Sequence, residues 1–145
     1  MSSTLKKPKK MSGKSLESPL ESLAIQARQF SHSPYSTKKV GAAIEFSDGS
    51  ISSGCNIENA SYGATVCAER VAIWKKMSES KKLKIKKVVV AVDETNPWPP
   101  CGMCLQVMAE FASAKTEIIC MNLDGKSTVY KFKDLLPQAF EGTYL

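Results

Sequence analysis

The stretch KKVVVAVD, residues 86–93, runs through four valines and an alanine without a polar break. β-Branched side chains favour extended backbone, and a run that is apolar on both faces suits a strand covered on each side. It predicts the middle strand of a sheet. Before it, CAERVAIWKKM (67–77) has helix formers and helical apolar spacing, and after it CGMCLQVMAEF (101–111) has the same, with Pro100 just ahead. Further out, SPLESLAIQARQF (18–30) offers Ser18 as N-cap, Pro19 at the first helical position and Glu21 to complete a capping box. Leu20, Leu23, Ala24, Ala27 and Phe30 then fall on one face. VGAAIEF (40–46) and SISSGC (50–55) flank Asp48-Gly49, and TEIICMNL (116–123) leads through Asp124-Gly125 into STVYKF (127–132), both reading as hairpins. The order is helix, strand, strand, helix, strand, helix, strand, strand. It predicts a three-layer α/β/α fold with a five-stranded mixed sheet, in one domain over residues 16–145. In such sheets the strand ends that meet helix N-termini tend to carry the site.

The 145-residue chain has a formal net charge of +6, yet residues 1–15 hold five lysines and no acid. Without them fifteen basic and fourteen acidic residues remain, so the domain is nearly neutral and the basic segment reads as a disordered tail. Seven lysines between Lys75 and Lys87 read as a solvated helix end and loop. No run of about 18 apolar residues occurs and the lysine-rich start lacks an apolar core, so neither a membrane span nor a signal peptide is indicated. A cytoplasmic protein is expected.

Five cysteines in such a chain argue for metal or thiol chemistry rather than a disulfide framework. Cys55 and Cys120 read as bystanders, and His32 is the only histidine, which disfavours histidine-dependent mechanisms. Cys67 begins one expected helix, while Cys101 and Cys104 lie in the first turn of the next. Unpaired N–H groups and the helix dipole favour thiolates there. Three thiolates would hold zinc with one position open, the pattern of a catalytic site, and such a site brings the pKa of bound water to about 7. Glu69, two residues after Cys67, stands where a proton shuttle belongs. Zinc(II) with three thiolates carries a formal charge of −1, which Arg70 is placed to offset. By itself, however, a Cys-x-x-Cys pair is also a redox motif.

In PYS…VGAA, GCNIENASYGATVCAER, PCGMC with the following Gln106, and LLPQAF, the sequence resembles the cytidine deaminases of pyrimidine nucleoside salvage, from about residue 16 to residue 145. The Cys-x-Glu and Pro-Cys-x-x-Cys pairing matches the zinc deaminase signature, with Cys67 where other branches have histidine. The resemblance implies one zinc per chain on Cys67, Cys101 and Cys104, with Glu69 as general acid and base. Zinc hydroxide would attack C4 of cytidine or 2′-deoxycytidine, releasing ammonia. Asn56 and Glu58 match the pair that binds the sugar 3′-hydroxyl, and Ala68 a position at the substrate. Similar three-cysteine enzymes are homotetramers. Ala60 and Tyr62 match positions that reach a neighbour's ribose site, and Phe140 matches the aromatic that packs against a neighbour's base.

Two positions depart from the family pattern. Lys38 stands where an aromatic usually packs beside the base, and Leu105 replaces an arginine common after the second cysteine of the pair, leaving more compensation to Arg70. Trp98, one turn before the ligand pair, is a candidate to close over the base. A thiol oxidoreductase would leave Cys67-Ala68-Glu69 unexplained. A polynucleotide-editing deaminase rests on the lysines alone, with no interleaved aromatics for base stacking, so nucleic acid is not the expected partner. Deamination of a cytosine nucleoside analogue would use the same zinc residues.

Overall fold

A computed structural model describes residues 9–11, 18–80 and 82–145. The elements in chain order are β1 (Lys9–Met11), α1 (Pro19–Arg28), β2 (Val40–Phe46), β3 (Ile51–Cys55), α2 (Ala68–Met77), β4 (Ile85–Val92), α3 (Gly102–Ala109), β5 (Glu117–Asn122), β6 (Ser127–Lys131) and α4 (Phe132–Leu135). The strands form one sheet in the order β1-β6-β5-β4-β2-β3. Among the strands of the described residues, β4 and β5 pair in parallel and the other neighbours are antiparallel. A parallel pair cannot be joined by a tight turn, so α3 crosses between them and must start near the carboxyl end of β4.

The two faces of the sheet follow the two-residue period of a strand. Val88 and Val90 of β4 pack with Ile44, Phe46, Ile73, Met108 and Phe132 in the layer of α2 and α3. Val89 and Ala91 pack with Leu20, Ala24, Ala43 and Met121 in the layer of α1. The apolar run at 88–92 is thus buried on both sides, and the three-layer arrangement is as the sequence indicated.

Local chemistry sets the element ends. Ser18 Oγ accepts from the Glu21 N–H at 3.3 Å, while the Glu21 carboxylate accepts from the Ser18 N–H at 3.0 Å, closing the capping box of α1. At Asp48-Gly49 the chain reverses with Gly49 at φ +82°, a conformation that costs glycine nothing. Gly54 has a different use. A Cβ there would lie 2.8 Å from the Ala72 nitrogen and 2.9 Å from the Ala68 carbonyl oxygen, so its bare backbone lets α2 rest directly on β3.

Three expectations are corrected. Phe30 is 79% exposed, because α1 stops at Arg28 and the helical face has no continuation to carry it inward. Phe132 leaves the last strand and opens α4, with its side chain buried. Lys9–Met11, inside the segment expected to be a disordered tail, pairs with Ser127–Val129 and makes a sixth strand beside the expected five. Its backbone covers the outer edge of β6, which would otherwise present unpaired N–H and C=O groups. The rest of residues 1–15 lies outside the described residues.

Candidate active site

Two helices deliver the thiols. Cys67 is the N-cap of α2 and Cys101 the N-cap of α3, both in extended backbone, and Cys104 lies buried in the first turn of α3. Both helices pack on the same face of the sheet, which brings their N-termini together. The Cys67 and Cys101 sulfurs are 3.8 Å apart, Cys101 and Cys104 3.5 Å, and all three sulfurs lie within 4.8 Å of one another. Thiolates about 2.3 Å from one tetrahedral zinc are about 3.8 Å apart, so the spacing fits one ion and leaves a fourth direction open. None of the sulfurs is joined in a disulfide. Cys120 is a core residue whose burial pushes its thiol up to about 12, and Cys55 lies on β3, so both stand outside the cluster. The His32 backbone donates from N–H to the Asn56 carbonyl and accepts from the Glu58 N–H.

The charges around the sulfurs are arranged for thiolate. Hydrogen bonding with Cys104, and then with Arg70, brings the Cys67 thiol down to about 5. Cys104 is pushed up because it keeps the proton shared with Cys67 and is itself buried. Arg70 is buried at 7% exposure, donates from Nη2 to Cys67 Sγ, and lies over the Trp74 ring with its guanidinium carbon 5.7 Å from the centroid. Its Nε is buried without a hydrogen-bond partner. A buried guanidinium needs a compensating negative charge, and the thiolates are the anions it touches. Leu105 points into the core with Ile73, Met108 and Phe132, so no second cation joins Arg70 from that position.

Glu69, at 4% exposure, follows directly in the first turn of α2, with its carboxyl facing the Cys104 thiol. Burial pushes its carboxyl up to about 7, and the negative Cys67 beside it adds to the rise. A carboxyl in that range holds or releases a proton near neutral pH. Ala68, between Cys67 and Glu69, has no exposed surface.

A second group of residues lies beside the cluster. Ile57 is bridged to Val66 by two backbone hydrogen bonds of 2.9 and 3.0 Å, which holds Asn56 and Glu58 just ahead of Cys67. The Asn56 amide accepts from the Val40 N–H and Ser31 hydroxyl and donates to the Lys38 carbonyl. Glu58 accepts from the Tyr35 N–H, the Ser36 N–H and the Ser36 hydroxyl, which hold its carboxyl below the usual carboxylate range. Tyr35, Ser36, Glu58, Tyr62 and Thr65 line a depression of 360 Å³. Tyr62 therefore borders the depression of its own chain, its ring edge-on to Tyr35 at 6.2 Å. Thr65 links this side to the sulfurs, since its carbonyl accepts from Arg70 Nη2.

Other expected residues lie apart. Ala60 is exposed on the loop after Glu58. Phe140 is 58% exposed on the C-terminal segment and lines neither the depression nor the sulfur cluster. Lys38 pairs with Glu94 at 2.5 Å, directing its ammonium toward the loop before α3. Trp98 borders that pair together with Arg28 and Asp93, rather than the depression at Glu58. Sequence reasoning passed over Ser36 and Thr65. Ser36 stood inside the quoted PYS motif, but its partner Glu58 is 22 residues away and no local signal joins them.

Comparison with known proteins agrees with this geometry. A cytidine deaminase of Halalkalibacterium halodurans is 48% identical over 117 residues, which is 81% of this chain and 88% of that protein. A cytidine deaminase of Sporosarcina psychrophila is 42% identical over 79% of this chain and 84% of its own length. The crystal structure of a cytidine deaminase from Burkholderia pseudomallei superposes with a TM-score of 0.78 at 39% identity, covering 83% of this chain and 96% of that one. Residues 15–121, which include all three clustered sulfurs and Glu69, match the family described as the cytidine and deoxycytidylate deaminase zinc-binding region, and it is to this family that the chain belongs.

Proposed function

We propose that the protein is a zinc-dependent hydrolase that converts cytidine and 2′-deoxycytidine to uridine and 2′-deoxyuridine, with release of ammonia. The observation that carries this reading is the triangle of sulfurs at tetrahedral spacing, with a buried carboxyl two residues from one of them in the first turn of α2. Cys67, Cys101 and Cys104 hold the ion. Zinc bound there acts as a Lewis acid that makes water a nucleophile at neutral pH.

Glu69 does the proton work. Its carboxylate takes the proton from the attacking water and delivers it to the amino group departing from C4. Its burial keeps bulk water from the transfer. Arg70 offsets the surplus negative charge of three thiolates, which keeps the ion acidic enough for its task. The sugar lies toward Asn56 and Glu58. Glu58, ionised and fixed by Ser36 and Tyr35, accepts from a sugar hydroxyl, which favours sugars that carry that donor. Ala68 lies at the substrate of its own chain, and Ala60 reaches the ribose site of a neighbouring copy.

Exposed aromatics at Tyr62 and Phe140 support assembly as a homotetramer in which Phe140 packs on the base held by a neighbour. We place the enzyme in pyrimidine salvage in the cytoplasm; no helix among the described residues is long and apolar enough to cross a membrane. Elemental analysis together with ultraviolet absorbance during incubation with cytidine tests the reading. About one zinc per chain and conversion to uridine are expected. Absence of zinc, or zinc without conversion of either nucleoside, would overturn it.

A further inference from the structure

Gln106 sits two residues beyond Cys104 on α3, and its side chain is committed to a residue 34 positions later. Nε2 donates to the Phe140 carbonyl at 2.8 Å, and Oε1 accepts from the Phe140 N–H at 3.2 Å. One amide thus takes both backbone groups of one residue, as a neighbouring strand would, and fixes direction as well as position. Among the described residues, the other hydrogen bonds beyond Leu136 join residues three apart, Tyr144 to Glu141 and Leu145 to Gly142. Gln106 is therefore the hydrogen-bonded tie between this segment and the body of the fold. The Phe140 ring itself is 58% exposed, touching Tyr144 at 5.6 Å between centroids. A backbone held this closely, with the ring left outward, is an arrangement for presenting the ring.

We propose that Gln106 is the positioning residue for Phe140: from the helix that carries Cys101 and Cys104 of its own chain, it sets the aromatic that a neighbouring copy's site receives. This rests on the assembly described under the proposed function. Without the tie, the segment from Pro137 onward must be ordered each time a nucleoside binds, and that cost appears in substrate affinity rather than in the chemical step. Helix α3 then serves two sites, metal at its first turn for one and the aromatic from its middle for the other.

Two substitutions test this. Gln106→Met keeps the length and removes both hydrogen bonds, and Gln106→Glu keeps an acceptor but loses the donor. Each is expected to keep its zinc and to raise KM for cytidine about tenfold while kcat changes by less than about twofold. The decisive measurement uses co-assembly. Gln106→Met chains and Glu69→Gln chains, carrying different tags, are expressed together and the mixed oligomers purified through both tags. Sites with an intact Glu69 then receive Phe140 from chains whose Gln106 is intact, so a component with wild-type KM is expected to return. A parallel mixture of Phe140→Ala with Glu69→Gln is expected to do the same.

Unchanged KM in both Gln106 variants would overturn the inference. So would a raised KM that co-assembly fails to restore while the Phe140→Ala mixture is restored. Loss of assembly in both Gln106 variants would assign the residue to holding subunits together and also overturn it. A wild-type protein that is monomeric by light scattering would overturn the assembly reading, and the inference with it.

Discussion

A single nitrogen of Arg70, Nη2, donates both to the Cys67 sulfur at 3.5 Å and to the Thr65 carbonyl at 3.3 Å. The cation is thereby held against one thiolate by the loop that enters α2. Because Leu105 supplies no charge, Arg70→Met should lower kcat or zinc affinity by about ten- to a hundredfold. Zinc titration with steady-state kinetics checks this, and wild-type values in both would deny Arg70 its compensating role.

Glu69→Gln keeps the shape of a side chain that is already buried while removing its ability to exchange a proton. Turnover is expected to fall by at least about 10²- to 10⁴-fold, with zinc content and cytidine affinity retained. Binding of an uncleaved nucleoside, followed by calorimetry, separates the two effects. Retained turnover would mean that another group is the base.

Ser36 and Glu58 give a pH signature. The Ser36 hydroxyl, with the Tyr35 and Ser36 N–H groups, favours the ionised carboxylate and lowers its pKa in the folded chain. A lowered carboxylate pKa means that the tie is whole above the usual carboxylate range and is lost as pH falls through the lower, folded value. KM for cytidine should therefore stay level in mild acid and rise only in stronger acid. In Ser36→Ala the rise should begin at higher pH. Identical onset in the two proteins would remove Ser36 from the account.

Gly54→Ala places a methyl group against the backbone of α2, where the flexible end of a side chain is not available to yield. The expected loss is about 1–3 kcal/mol of stability, read as a lowered denaturation midpoint. Gly63→Ala is the control, since a Cβ there meets nothing within 4 Å. Equal stability of the two variants would contradict the close approach of α2 to β3.

What the sequence disclosed was what neighbours in sequence decide. The valine run, the capping box at Ser18 and Glu21, the two Asp-Gly turns and the cysteines at helix starts all carry their signal within a few residues. What stayed hidden depends on partners far along the chain. Lys9–Met11 becomes a strand through the free edge of β6, and Lys38 finds Glu94 across 56 positions. Gln106 was part of a recognisable motif, yet its role emerges only when Phe140 is folded back onto it. Phe30 failed in the opposite sense: its spacing was right for a helix that had already ended.

The pairing of Lys38 with Glu94, and of Arg28 with Asp93, also bears on how such a protein can diverge. Each pair joins the layer or loop before β2 to the loop between β4 and α3, while the sheet beneath is fixed by its own packing. A change of charge on one loop leaves its opposite number without a counterion. Inherited variation in the two loops should accordingly come in compensating couples, Lys38 with Glu94 and Arg28 with Asp93, while the metal-binding cysteines beneath stay unaltered.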